Sequence, residues 1–170
     1  MKAYCLASSS LGNCFIFELE IRGVPHNIMI ECGIPLSDIY KKCVELNIKM
    51  SSIDACLITH IHSDHSKSAR ELSRLNIPIF ASKETLEGLN LKERIIYPNT
   101  PNEVLNGLYV YPFTVDHDVD GAYGFLIKTA KDVLIMGHND MDMDALGAAL
   151  GVKAICDRFE KSARIGRCYR

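Results

Sequence analysis

The 170-residue chain lacks several features by which a sequence declares its setting or partner. No apolar run approaches the ~20 residues that span a bilayer, so no membrane helix is expected. The N-terminus passes from Met1-Lys2 to Ser8-Ser9-Ser10 too soon for the apolar core of a signal peptide. Neither sign of charge dominates: Lys+Arg 19 against Asp+Glu 21 leave a net charge of -2, so the whole-chain charge carries no nucleic-acid footprint. No Gly-x-Gly-x-x-Gly occurs, which argues against a dinucleotide-binding sheet. No repeat, linker or low-complexity segment interrupts the chain, and residues 1–170 read as one domain with a real core. The cysteines number seven, an odd count, and none forms a Cys-x-x-Cys pair. Neither a disulfide framework nor a zinc ribbon is suggested, and a reducing cytoplasm is the natural setting.

What the chain does have is concentrated in Thr59-His60-Ile61-His62-Ser63-Asp64-His65. Three imidazoles and one carboxylate follow the apolar run Ile53-Asp54-Ala55-Cys56-Leu57-Ile58, which reads as a buried strand, and precede a segment that reads as a helix to about Leu75. In extended chain, residues two apart face the same way, so His60 and His62 can bind one metal ion. Asp64 and His65 fall where the chain turns into the helix and can reach the same pocket from another angle. Imidazole suits zinc, iron or nickel, and a carboxylate tolerates zinc, manganese or iron.

Around this stretch, strands are expected at Ala3 to Ala7, Cys14 to Leu19, Asn27 to Glu31, Ile79 to Ala81, Glu93 to Tyr97, Gly107 to Thr114, Ala122 to Ala130, Val133 to Met136 and Val152 to Cys156. Helices are expected at Ser37 to Leu46, with Ser37 as N-cap, after Ser82, and at Met141 to Leu150. His26 reads as a surface residue in a turn. Asp157 to Arg170 carries five basic residues against two acids and reads as a solvated tail that could touch phosphates. Strands first, then helix and strand alternating, then strands again, give an α/β sandwich of sheets with helices outside.

A metal pair needs more ligands than one loop supplies. His117 ends a strand between Asp116 and Asp118, either of which could orient its ring. His138 ends another apolar strand beside Gly137, and Asp140 could substitute for it or assist it.

The motif His60-x-His62-x-Asp64-His65 resembles the signature of the metallo-β-lactamase-fold hydrolases. Ser8-Ser9-Ser10-Leu11-Gly12-Asn13-Cys14 resembles the first turn of the exonuclease-like and phosphodiesterase-like branch. Ile30-Glu31-Cys32-Gly33 is similar to the second motif, which normally carries Asp where Glu31 stands. Phe113 to Asp118 followed by Tyr123-Gly124-Phe125 resembles the segment of the next ligand. The resemblance implies an αββα sandwich, here lacking part of its second half, and one or two zinc ions, with manganese or iron as alternatives. It implies His60, His62 and His117 on a first metal, and Asp64, His65 and His138 on a second, with Asp64 also orienting the attacking water. The family usually has a bridging Asp where His138 stands, and usually a last histidine beyond it. Completion of the site by a second copy, as a homodimer, or a shortened relative is therefore expected. The implied substrate is a phosphodiester, in a small molecule or a nucleic-acid end, with no membrane partner. The rival readings are a thioester or lactam hydrolase and a metal-binding relative without turnover.

Overall fold

The computed structural model describes residues 1–129, 132–136 and 162–165. Two sheets lie face to face. The first is built from β1 (Lys2–Ser9), β2 (Gly12–Ile21), β3 (Val24–Cys32), β4 (Ile53–Leu57), β5 (Ile79–Ala81) and β6 (Arg94–Ile95), in that spatial order. The first three are antiparallel, and β3 through β6 run parallel. The switch follows from the connections: tight turns join β1, β2 and β3, whereas helical crossovers join the later strands. These are α1 (Leu36–Glu45), the short α2 (Ser63–Ser66) and α3 (Ala69–Arg74), and α4 (Lys83–Gly88). The second sheet holds β7 (Asn102–Leu105), β8 (Leu108–Thr114), β9 (Tyr123–Lys128), β10 (Asp132–Met136) and β11 (Ser162–Ile165), ordered β11-β10-β9-β8-β7.

Two-residue periodicity divides the core. In β3, Ile28 and Ile30 face the second sheet while Met29 faces the helices. In β4, Ala55 and Leu57 face inward while Cys56, and Ile58 just beyond the strand, face the helices. The inter-sheet core joins Phe17, Ile28, Ile30 and Leu57 to Val110, Phe125 and Leu134. The outer core packs Ile39 and Cys43 of α1, Leu72 of α3 and Leu86 of α4 on the other face. A strand buried on both faces reads as a continuous apolar run, which is why Ile53 to Ile58 shows no alternation.

Several details differ from expectation. Pro35, not Ser37, occupies the N-cap of α1, and no side chain caps it. The helix expected after His65 is broken into α2 and α3, because Ser68 leaves helical geometry and its N–H and hydroxyl turn to Cys32 O and Ile34 O. His26 lies within β3, half-buried, with Nδ1 3.2 Å from Asp54 Oδ2. Residues 162–165, assigned to the solvated tail, form β11 and pair in parallel with β10. Asn102 to Leu105, partly read as loop, pairs with β8 as β7. Cys5 is disulfide-bonded, a bond that the spacing of the cysteines did not suggest. The expected helix at 141–150 and strand at 152–156 also lie outside the described residues. No helix among the described residues is long and apolar enough to cross a membrane.

Candidate metal centre

The ladder of the first sheet stops just short of the histidines. Ile58 still donates to Phe80 O at 3.0 Å, and then the pattern changes. The Thr59 N–H turns to the Glu31 carboxylate, 3.4 Å from each oxygen, and the Thr59 carbonyl accepts from Tyr123 N of the second sheet at 3.0 Å. His60 and His62 therefore do not stand on a strand, as the two-residue spacing implied. They stand on a loop at the carboxyl end of β4, held by both sheets.

Three ring nitrogens converge there. His60 Nε2 lies 3.2 Å from His62 Nδ1 and 3.0 Å from His117 Nε2. The ligand atoms of these three residues all lie within 4.8 Å of one another. His60 is fully buried, and the other two are half-buried. One shared proton cannot satisfy both contacts of His60 Nε2, whereas one cation can accept three lone pairs. Zinc–nitrogen bonds place tetrahedral ligand atoms about 3.3 Å apart, so the spacing suits a divalent ion. Among the described residues these are the three metal-competent groups that come together this way.

The nitrogens on the outer sides of these rings meet oxygen. His60 Nδ1 is 2.8 Å from Thr59 Oγ1. His117 Nδ1 is 3.1 Å, and His62 Nε2 3.5 Å, from the same oxygen, Asp118 Oδ1. Asp116, the other acid beside His117, is exposed. Neither Thr59 nor the double reach of Asp118 was read from the sequence. A hydroxyl next to a histidine is a signal too common to single out.

His65 sits beside this trio, its ring centroid 4.1 Å from that of His60. Its Nε2 lies 3.3 Å from Asp64 Oδ2 and 3.4 Å from Asn13 Nδ2. Its Nδ1 lies 3.3 Å from Glu31 Oε1, a buried carboxylate on a residue with φ of 61°. Carboxylates stand beside both ring nitrogens of His65. Asp64 and His65 thus offer two donors to a second position. His138 and Asp140, expected to complete it, lie outside the described residues.

Glycines seat the ligand loop. A Cβ on Gly33 would stand 2.6 Å from His65 N and nearer still to the Asp64 carbonyl. A Cβ on Gly12 would stand 2.6 Å from Gly33 O and 2.5 Å from Ile34 Cγ2, so the β1–β2 turn and the end of β3 close directly on the loop. Three buried thiols, Cys14, Cys32 and Cys56, lie behind it. Burial pushes the Cys14 thiol well above its ordinary 9.0. The hydrogen bond to Cys32, then burial, does the same for Cys56.

Two stacked sheets with helices outside and histidines at the strand ends define the class: the chain has the metallo-β-lactamase fold. Against the Cronobacter sakazakii metallo-β-lactamase with the HARLDQ motif the TM-score is 0.65, at 15% identity, over 78% of this chain and 60% of that one. The class B3 di-zinc enzyme LRA-12 from an Alaskan soil metagenome gives 0.61 at 12% identity, over 90% and 73%. The Bacillus subtilis metallo-β-lactamase fold protein YhfI gives 0.57 at 17%, over 76% and 55%. No family model matches the chain. In sequence it is 26% identical over 123 residues to exodeoxyribonuclease WalJ of Streptococcus pneumoniae, in strains D39 and R6. That match takes in 66% of this chain and 44% of the relative, so the chain spans less than half the length of the curated proteins it matches.

Proposed function

We propose that the protein is a metal-dependent hydrolase that holds zinc on His60, His62 and His117 and cleaves phosphodiesters, with a nucleic-acid end as the substrate. The observation that carries this reading is the meeting of imidazole nitrogens from segments 57 residues apart at 3.0 Å. When bound, the ion supplies Lewis acidity, polarising a phosphoryl oxygen and acidifying water to a pKa of about 7 in the case of zinc. Three imidazoles suit zinc or iron better than magnesium or calcium.

The chain's own residues do the rest. Thr59 and Asp118 fix the rings of the trio. Asp64, about one-third exposed, lies at the rim, where its carboxylate can orient a water and take its proton. Asp64 and His65 are the donors for a second ion. Asn13, buried against them, presents an amide N–H to the same space. The phosphodiester substrate is supported by the similarity to an exodeoxyribonuclease and by the serine-rich first turn.

The test measures metal content and turnover of the purified chain. We expect at least one equivalent of zinc, lost in His60→Ala and His117→Ala, and 3′- or 5′-end degradation of DNA above that of a thioester or a β-lactam. Less than a tenth of an equivalent after zinc loading would refute the metal site. Faster thioester or lactam turnover would refute the substrate class alone. Mass in solution reports whether a homodimer completes the site.

A further inference from the structure

We infer that Asp118 is the positioning residue for two of the three proposed ligands at once, setting His62 and His117 from a single carboxylate oxygen. The inference rests on the metal-binding reading above and deepens it. His62 arrives from the loop after β4 in the first sheet, and His117 from the loop after β8 in the second. Asp118 Oδ1 is 3.5 Å from His62 Nε2 and 3.1 Å from His117 Nδ1. On each ring this is the nitrogen that faces away from the centre, since His62 Nδ1 and His117 Nε2 point to His60.

A neutral imidazole carries one proton, so a carboxylate beside one nitrogen draws the proton there and leaves the other with its lone pair. The two rings need opposite tautomers: His62 must be protonated at Nε2 and His117 at Nδ1. One anion between the two outer nitrogens selects both. Asp116 shares the loop and the charge, but it is Asp118 whose carboxylate pairs with both rings. The Asp118 side chain is 72% exposed, so it adds little to the core and its removal leaves the fold in place.

The experiment uses the full chain with Zn²⁺ as the probe, in competition with a chromophoric chelator, and Co²⁺ for the absorption spectrum. Asp118→Ala is expected to weaken zinc binding about 10–100-fold, the range found when such outer partners of metal-bound histidines are removed. Asp118→Asn keeps an accepting oxygen without the charge and is expected to fall between Ala and the native protein. Asp116→Asn is expected to bind as the native protein does. Imidazole ¹⁵N spectra of the zinc-free protein supply the readout that a merely structural role would not move. In the native chain His62 is expected as the Nε2–H and His117 as the Nδ1–H tautomer, and Asp118→Ala mixes both. Circular dichroism checks that the variants are folded. Native-like affinity and unmixed tautomers in Asp118→Ala would overturn the inference and leave the proposed function standing. A native protein that binds no zinc would overturn both.

Discussion

Replacing Gly33 by Ala adds one methyl group, and the structure says where it must go. The new Cβ falls 2.6 Å from His65 N, with the Asp64 carbonyl closer still. Ordinary contact for such atoms begins at 3.4 Å. The backbone at His65 must therefore retreat by at least 0.8 Å, the difference of those two distances. No flexible side chain can yield instead, because the obstructing atoms are main chain. Metal–ligand distances tolerate about 0.2 Å, so a shift four times larger removes Asp64 and His65 from any shared ion. Overpacking of this kind costs about 1–3 kcal/mol of stability. Gly33→Ala is thus expected to lose tight binding of a second ion, weaken the first, and lower the urea midpoint. Calorimetric titration with zinc and urea denaturation read both effects. Gly23→Ala is the control: φ there is 84°, and nothing lies within 4 Å of the added Cβ. It is expected to cost about 1 kcal/mol of backbone strain with no change in zinc affinity. A Gly33→Ala protein with native midpoint and native zinc titration would refute the steric argument.

Other outcomes follow from the same contacts. Glu31→Gln replaces one of the two oxygens that face Thr59 N by an amide N–H, and is expected to lower stability by about 1–3 kcal/mol in urea melts; an unchanged midpoint would count against the role of Glu31. The raised thiols of Cys14 and Cys56 favour the protonated form in the folded state. Their contribution is complete below 9.0 and is lost as pH climbs toward the folded values, so the urea midpoint should fall from about pH 9 upward, less steeply in Cys14→Ala. The same two thiols, together with Cys32 and Cys43, should resist iodoacetamide at neutral pH until the chain unfolds, which mass spectrometry of labelled peptides would show. Ser82 caps α4 by accepting from Thr85 N at 3.1 Å; Ser82→Ala is expected to cost about 1 kcal/mol in a thermal melt, and no loss would mean the cap is redundant.

The parts of this fold that were legible are those fixed by local pattern. Ile53 to Ile58 read as a buried strand because both of its faces are covered, and His60, His62 and His117 stood out because metal chemistry needs those residue types at strand ends. What was not legible depends on contacts across the chain. The break between α2 and α3 is decided by Ser68 bonding back to residues 32 and 34, which no helical periodicity announces. β7 hides behind Pro98 and Pro101 and becomes a strand through its pairing with β8. Asp116 and Asp118 flank His117 alike in sequence; only the folded course of the loop sets Asp118 beside both rings. His26 looked like a turn residue because Gly23 and Pro25 precede it, yet the β2–β3 register carries it into the strand.

The Thr59 carbonyl accepting from Tyr123 N ties the carboxyl end of β4 to the start of β9 by a backbone hydrogen bond. On the proposed reading, a cation bridging His60 and His117 doubles that link within a few ångströms. Metal loading then acts as a rivet between the two layers: at a hundredfold excess over its dissociation constant it adds about 2.7 kcal/mol against unfolding. The amides around residues 115–123 should exchange with solvent far more slowly in the loaded protein than in the stripped one.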